Sequence, residues 1–294
     1  MSKKYKIIVA THKKFQMPED KDLYIPVQVG SEGKENLGYQ RDDQGNHISH
    51  LNPYYCELTG LYWAWKNLDC DYLGLVHYRR YFTDRNRPYH DKINMNEVIL
   101  SADQVKEFMS EVDVVVPKKR KYYIETLYSH YAHTHNSSHL DVTREIIKEV
   151  SPEYLATFDK VMDCRSGYMF NMFIMSKENV SSYCEWLFPI IDELYRRLDI
   201  TGYSTFDARL FGRISERLFN VWLDYQNLRV KEVPFMYMEK VNLFEKGKSF
   251  LKAKYFGKKI WTEFLSYGFV ITYFCIFFSF PCAVNKFKCY RASK

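Results

Sequence analysis

The chain has 294 residues, 46% of them hydrophobic and 27% charged, with 42 Lys and Arg against 36 Asp and Glu. This length and apolar content support a substantial core and exclude an intrinsically disordered chain. The net charge of +6 is modest, and much of it lies in Lys246, Lys248, Lys252, Lys254, Lys258 and Lys259 before an apolar tract, a pattern that suits an anionic membrane surface better than a nucleic-acid groove.

The seven cysteines have no Cys-x-x-Cys pair and no zinc-ligand spacing, which predicts reduced thiols in a cytosolic setting. The opening MSKKYKIIVATHKK passes from charge straight into a strand pattern, so no secretory signal is expected.

Residues 5–10 read as a buried strand that delivers Thr11 and His12 to its carboxyl end. An open α/β sheet meets its ligands there, although a basic surface turn is the alternative. A second strand, 25–29, leads into a polar loop over 30–51 that could close over a ligand; its glycines lack dinucleotide-binding spacing. Asn52 is predicted to cap a helix with Pro53 at its first position and a buried stripe of Tyr54, Leu58, Leu61, Trp65 and Leu68. Glu57 and Trp63 fall off that stripe, and Glu57 reads as a solvated helix residue in preference to a substrate contact.

Residues 72–76 are the central strand, and they run into His77, Arg79 and Arg80. A cationic cluster beyond a strand end suits a diphosphate, which an arginine fork can neutralise without metal; a structural ion-pair network is the alternative. Asp69-Cys70-Asp71 has the form of an Asp-x-Asp metal motif but precedes the strand, at the wrong end for Mg or Mn. No metal ligand is assigned, and dependence on a divalent cation stays open.

Ser101 and Gln104 form a capping box for a helix burying Val105, Phe108, Met109 and Val112. The strand 113–117 follows, then Lys118 in a basic run that is either a solvated loop or a second phosphate contact. Glu125, His130 and His133 stand in a stretch crowded with Tyr and His, which suits a hydroxyl-rich sugar or acceptor better than a metal. Helices over about 140–150 and 151–162 lead to a strand over 168–175. Gly167 before that strand allows a close backbone approach, and Asn171 within it is a structural clamp or a ligand contact.

Ser176 opens a long helix with an expected kink near Pro189. The next helix, about 204–226, carries Asp207 in its first turn, as catalytic base or ordinary cap, and Arg209, Arg213, Glu216 and Arg217 on its polar face. Residues 229–238, interrupted by Pro234, read as an edge strand. Residues 264–284 carry no charge and would span about 30 Å as a helix. A membrane span, an interfacial segment and a packed core helix all fit that tract, and basic residues on both sides assign no orientation.

In this order, KIIVATHKK, NPYYCELTGLYWAWKN, YLGLVHYRRYF, PKKRKYYIETLYSHYAHTH, SGYMFNMFIM and FDARLFGRISERLF resemble the bacterial capsule and exopolysaccharide glycosyltransferase family long catalogued as a domain of unknown function. The resemblance covers about residues 5–250. It implies an α/β fold: a single GT-A-like nucleotide-sugar transferase domain with a mostly parallel central sheet over 1–250, followed by a basic and apolar helical tail, 251–294, that associates with the membrane. It further implies that Thr11 and His12 hold the nucleotide, that His77, Arg79 and Arg80 fall at or just after the usual Asp-x-Asp position, that Gly167 and Asn171 line the acceptor side, and that Asp207 begins the helix behind it. The absent Asp-x-Asp departs from the wider GT-A pattern. Some relatives are linked with galactosyl or galactofuranosyl transfer.

The expected activity is transfer of a sugar, such as galactose or galactofuranose, from a nucleotide diphosphate donor of the UDP-sugar type to a lipid-linked capsular, exopolysaccharide or O-antigen intermediate. The expected place is the cytoplasmic face of the cell membrane, within a polysaccharide assembly complex. His77 and Arg79 would stabilise the departing diphosphate, Asp207 or Glu125 would take the acceptor proton, and Arg80, Lys118, His130 and His133 would bind substrate. A non-catalytic carbohydrate-binding or scaffold protein is the first alternative; a membrane-associated nucleic-acid binder, with steeply salt-dependent binding, is the second.

Overall fold

The computed structural model describes residues 3–85 and 94–238, and the tail expected over 251–294 lies outside them. Near-continuous apolar runs make β1 (Tyr5–Thr11), β2 (Tyr24–Gln28), β4 (Tyr72–His77) and β6 (Val114–Pro117), as expected for strands covered on both faces. With the short β3 (Gln40–Arg41), β9 (Phe173–Ser176) and β10 (Val230–Val233), they form a sheet in the order β10-β6-β9-β4-β1-β2-β3. All pairings are parallel except those of β9, which runs antiparallel to both β4 and β6. The sheet is therefore mixed, and the residues that enter β9 lie at the carboxyl ends of its neighbours.

Two additions complete that end. Tyr78 and Arg79 turn β4 into β5 (Arg80–Phe82), whose other edge pairs with β11 (Phe235–Tyr237). A separate antiparallel ribbon joins β7 (Arg120–Lys121) to β8 (Ser166–Gly167).

The helices are α1 (Asn52–Tyr55), α2 (Leu58–Asn67), α3 (Ala102–Glu111), α4 (Leu127–Thr134), α5 (Ser138–Val150), α6 (Leu155–Met162), α7 (Lys177–Arg197) and α8 (Leu210–Gln226). α7 packs on β4 and β9 and against α2, α5 and α8, whereas α3 contacts β1 and β6. The expected Ser101–Gln104 capping box opens α3, and α7 continues through Pro189. Among the described residues no helix is long and apolar enough to cross a membrane.

Three predicted elements are broken. The helix expected from Asn52 divides at Cys56, where φ 55° and ψ −131° interrupt the helical path. Asn52 is helical itself rather than a cap, and its Nδ2 donates to the Cys56 carbonyl at 2.8 Å. Trp63 is buried. The strand expected over 168–175 is a strand only from Phe173, as β9; residues 168–172 form a turn between β8 and β9, with positive φ at Phe170 and Asn171. Pro234 separates β10, at the sheet edge, from β11, which pairs elsewhere.

The loop over 30–51 is tied down through one buried carboxylate. Asp42 accepts from the Gly30 and Ser31 amides and from the Ser31, Ser49 and Thr59 hydroxyls, at 2.5–3.0 Å. This network fixes the loop to the end of β2 and the start of α2.

Candidate functional site

At the end of β1, the buried Thr11 hydroxyl donates to the Lys13 carbonyl at 2.6 Å and accepts from the Lys13 amide at 3.2 Å. This local turn stops the strand and projects His12, whose ring lies edge-on to Tyr78 at 5.4 Å. Partial burial, then Arg79, Lys13, Arg209 and Lys34, push the His12 imidazole below its ordinary range.

The β4–β5 hairpin presents His77, Arg79 and Arg80. The Arg79 guanidinium lies 5.0 Å from the Tyr78 ring centre. Arg80 sits between the rings of Phe170 and Tyr237, at 4.4 and 5.3 Å, and its buried Nε has no hydrogen-bond partner among the described residues. It makes no ion pair among the described residues: the guanidinium lies against π surfaces, while its charge acts to lower the buried Glu216 carboxyl. His77 Nε2 lies 2.7 Å from the Phe170 carbonyl; a carbonyl only accepts, so Nε2 carries a proton. Burial depresses the imidazole against the opposing pull of Glu57, with Arg80 adding to the depression, so His77 is neutral near pH 7. The expected cationic trio thus reduces to its arginines, and His77 contributes a hydrogen-bonding imidazole.

Opposite His77 stands Glu57, its Oε1 4.0 Å from His77 Nε2. The Glu57 side chain is 13% exposed, which overturns its reading as a solvated helix residue: the break at Cys56 turns it toward the sheet end. Asn171 Nδ2 donates to Glu57 Oε1 at 2.7 Å and to the Gly212 carbonyl at 3.1 Å, while Asn171 Oδ1 accepts from the Ser215 hydroxyl at 3.1 Å. Three partners therefore determine which way the amide faces. Glu216, on α8, accepts from the Phe170 amide at 3.0 Å; burial raises its carboxyl above the ordinary range and nearby Glu57 adds to the rise, opposed by Arg217. Arg209 reaches the same corner, its Nε donating to Cys56 Sγ at 3.2 Å.

A family model described as a domain of unknown function, DUF4422, matches residues 6–227. The chain belongs to the DUF4422 family. Among solved structures it is similar to the apo structure of WbbM, a bifunctional glycosyltransferase, with a TM-score of 0.73 and 29% identity. The match covers 80% of this chain and 45% of that one, so the DUF4422 chain spans less than half of WbbM's length. No curated protein matches.

In this DUF4422 chain the predicted site residues fall into three groups. His77, Arg80 and Asn171 meet through Phe170 and Glu57, with Arg79 in the adjoining turn and Thr11 and His12 on the neighbouring strand. Glu125, His130 and His133 gather around α4: Glu125 Oε1 lies 2.6 Å from His133 Nδ1, and the His130 ring is 4.3 Å from that of Tyr122. Burial first, then Arg120 and Arg217, lower His130 to about 4. Arg217, beside Glu216 on α8, lies over the Tyr131 ring of α4 at 4.6 Å and so connects this group to the first.

The remaining residues stand apart from these two groups. Asp207 is exposed, its carboxylate accepting from Ser204 Oγ at 2.6 Å, and the groups it influences are Tyr131, His135 and His139 rather than His77. Lys118 is exposed at the end of β6. Gly167 allows a close approach, but by side chains of its own fold: a Cβ there would stand 3.0 Å from Met169 Cε, 3.1 Å from Leu127 Cδ1 and 3.2 Å from Asn220 Oδ1. Asp69 pairs with Lys4, and Asp71 accepts the Lys4 amide at 2.6 Å, so this Asp-x-Asp secures the amino end of the sheet. Among the described residues no three imidazole, thiol or carboxylate groups gather as a metal would require.

A helical wheel drawn through residues 52–68 or 204–226 places Glu57 and Glu216 on solvent faces, so periodicity marks neither as a site residue. A carboxylate directly beside a cysteine in a broken helix leaves little trace in hydrophobic periodicity.

Proposed function

We propose that this chain is a glycosyltransferase moving a sugar, galactose or galactofuranose being the first candidates, from a UDP-sugar to a lipid-linked polysaccharide intermediate at the cytoplasmic membrane face. One observation carries the reading. The His77 imidazole, the Glu57 carboxylate and the Arg80 guanidinium gather around Phe170 at the carboxyl end of β4, with Arg79 in the adjoining turn, and Arg80 makes no ion pair among the described residues. Departure of a nucleotide diphosphate builds negative charge on the leaving oxygens, and preplaced guanidiniums stabilise that charge more in the transition state than in the ground state. Membership of the DUF4422 family and similarity to a bifunctional glycosyltransferase support the assignment.

Among the described residues no group of three or more His, Cys, Asp or Glu gathers as a divalent-cation site. His12 and Thr11 lie where the nucleotide would be met on β1, and the α4 group offers tyrosine and histidine hydrogen bonds to an acceptor sugar.

A panel of nucleotide sugars tests the proposal, read by thermal stabilisation and by transfer to a membrane extract containing lipid-linked glycans. A UDP-sugar is expected to raise the melting temperature, because a ligand that binds only the native state stabilises it, and to be turned over. Tight glycan binding with neither stabilisation nor turnover of any donor would instead identify a carbohydrate-binding protein.

A further inference from the structure

The geometry points to Glu57 as the catalytic base that takes the proton of the acceptor hydroxyl, with Asn171 as the residue that positions it. This inference rests on the glycosyltransferase reading and deepens it. Glu57 Oε1 is held by Asn171, and among the described residues Oε2 accepts no hydrogen bond, which leaves one carboxylate oxygen for a substrate hydroxyl. Asn171 is itself anchored by Gly212 and Ser215 of α8, so the position of Glu57 is set by three elements rather than by its own rotamer alone. A base must be held within hydrogen-bond reach of its proton, and such second contacts are what hold it there.

Backbone strain converges on the same pair. Cys56, Phe170 and Asn171 have φ of 55°, 78° and 50°, and they are three of the five non-glycine residues with positive φ among the described residues. Each such conformation costs on the order of 1 kcal/mol or more, and it persists where the surroundings over-determine it. Cys56 immediately precedes Glu57, and Phe170 supplies the carbonyl to His77 and the amide to Glu216. A purely structural latch between α2 and α8 would need neither the break beside Glu57 nor the neutral imidazole next to it.

In the step itself, the acceptor hydroxyl gives its proton to Glu57 Oε2 as its oxygen bonds to the anomeric carbon of the donor. The bond from that carbon to the diphosphate oxygen breaks, and its electron pair stays on the diphosphate, toward Arg79 and Arg80. Glu57 returns its proton to solvent after product release. One displacement of this kind inverts the anomeric configuration.

Glu57→Gln is the decisive variant, because its amide oxygen still accepts from Asn171 while its basicity is gone. The full chain carrying it is expected to bind the UDP-sugar identified in the panel within about two-fold of wild type, and to lose about 10³-fold in kcat with KM little changed. Glu57→Ala should recover part of its rate with added formate, which a structural role would not allow. Near-normal kcat in Glu57→Gln, retention of configuration, or a glycosyl ester on the Glu57 peptide would each overturn the role of base while leaving the glycosyltransferase reading intact. Failure of the wild type to transfer from any donor would overturn that reading, and this inference with it.

Discussion

Partly desolvated histidines make the fold pH-sensitive in a direction that can be worked out residue by residue. Burial, reinforced by nearby arginines, lowers His130 to about 4 and His135 to about 3, and lowers His12, His77 and His139 as well. In the unfolded chain these imidazoles titrate near 6.5. Between about 6.5 and 4 the unfolded state therefore binds more protons than the native state, and stability falls as pH falls. Glu216, raised in the fold, works the other way but is one group against several. Urea midpoints should drop between about pH 7.5 and about pH 5, and His130→Gln should flatten that slope. Asn171 is read at the same scale. Asn171→Ala abandons bonds to Glu57, Gly212 and Ser215 and puts alanine at φ 50°, a loss of about 3 kcal/mol, whereas Asn171→Gly should lose less because glycine accepts that backbone. Equal losses in denaturant titrations would show that the left-handed conformation is not maintained.

The elements that carry the site are held by close packing in the sheet and by one polar knot in a loop. Gly74, in the centre of β4, has no room for a side chain: a Cβ would stand 2.9 Å from Ile7 Cγ1 and 3.0 Å from Ile174 Cγ1, on both flanking strands. Gly74→Ala should cost about 1–3 kcal/mol despite alanine's smaller backbone entropy loss, because overpacking in a two-sided sheet outweighs it. Asp42→Ala should cost on the order of 3 kcal/mol, since it leaves two amides and three hydroxyls without their acceptor. Hydrogen exchange should then rise at the Gly30 and Ser31 amides while β1 and β4 stay protected. Uniform loosening would mean that the knot supports the whole sheet. The capping box of α3 was readable from Ser101 and Gln104 because it is local, whereas the break between α1 and α2 depends on partners on α8 and at the start of β9.

For the molecule as a whole, residues 3–85 and 94–238 contain a closed core of two-sided sheet and packed helices. A chain ending after Phe250 is therefore expected to keep its melting temperature and its activity on a soluble acceptor, and to lose sedimentation with membranes. Loss of the folded state on truncation would place the tail within the core. Periodicity and charge in the chain determined the strands β1, β2, β4 and β6, the helices α3, α5 and α7, and the placing of His77, Arg79 and Arg80 about the carboxyl end of β4, because each depends on neighbours within a few residues. Tertiary structure alone decided that β9 runs against its neighbours and brings Phe170 to His77 and Asn171 to Glu57, that Glu57 faces inward, and that the Asp207 carboxylate is exposed and bonded to Ser204. The physical reason is range: hydrophobic burial writes itself into local spacing, whereas a polar constellation is assembled from partners up to 114 residues apart, whose side chains carry no record of one another until the sheet closes.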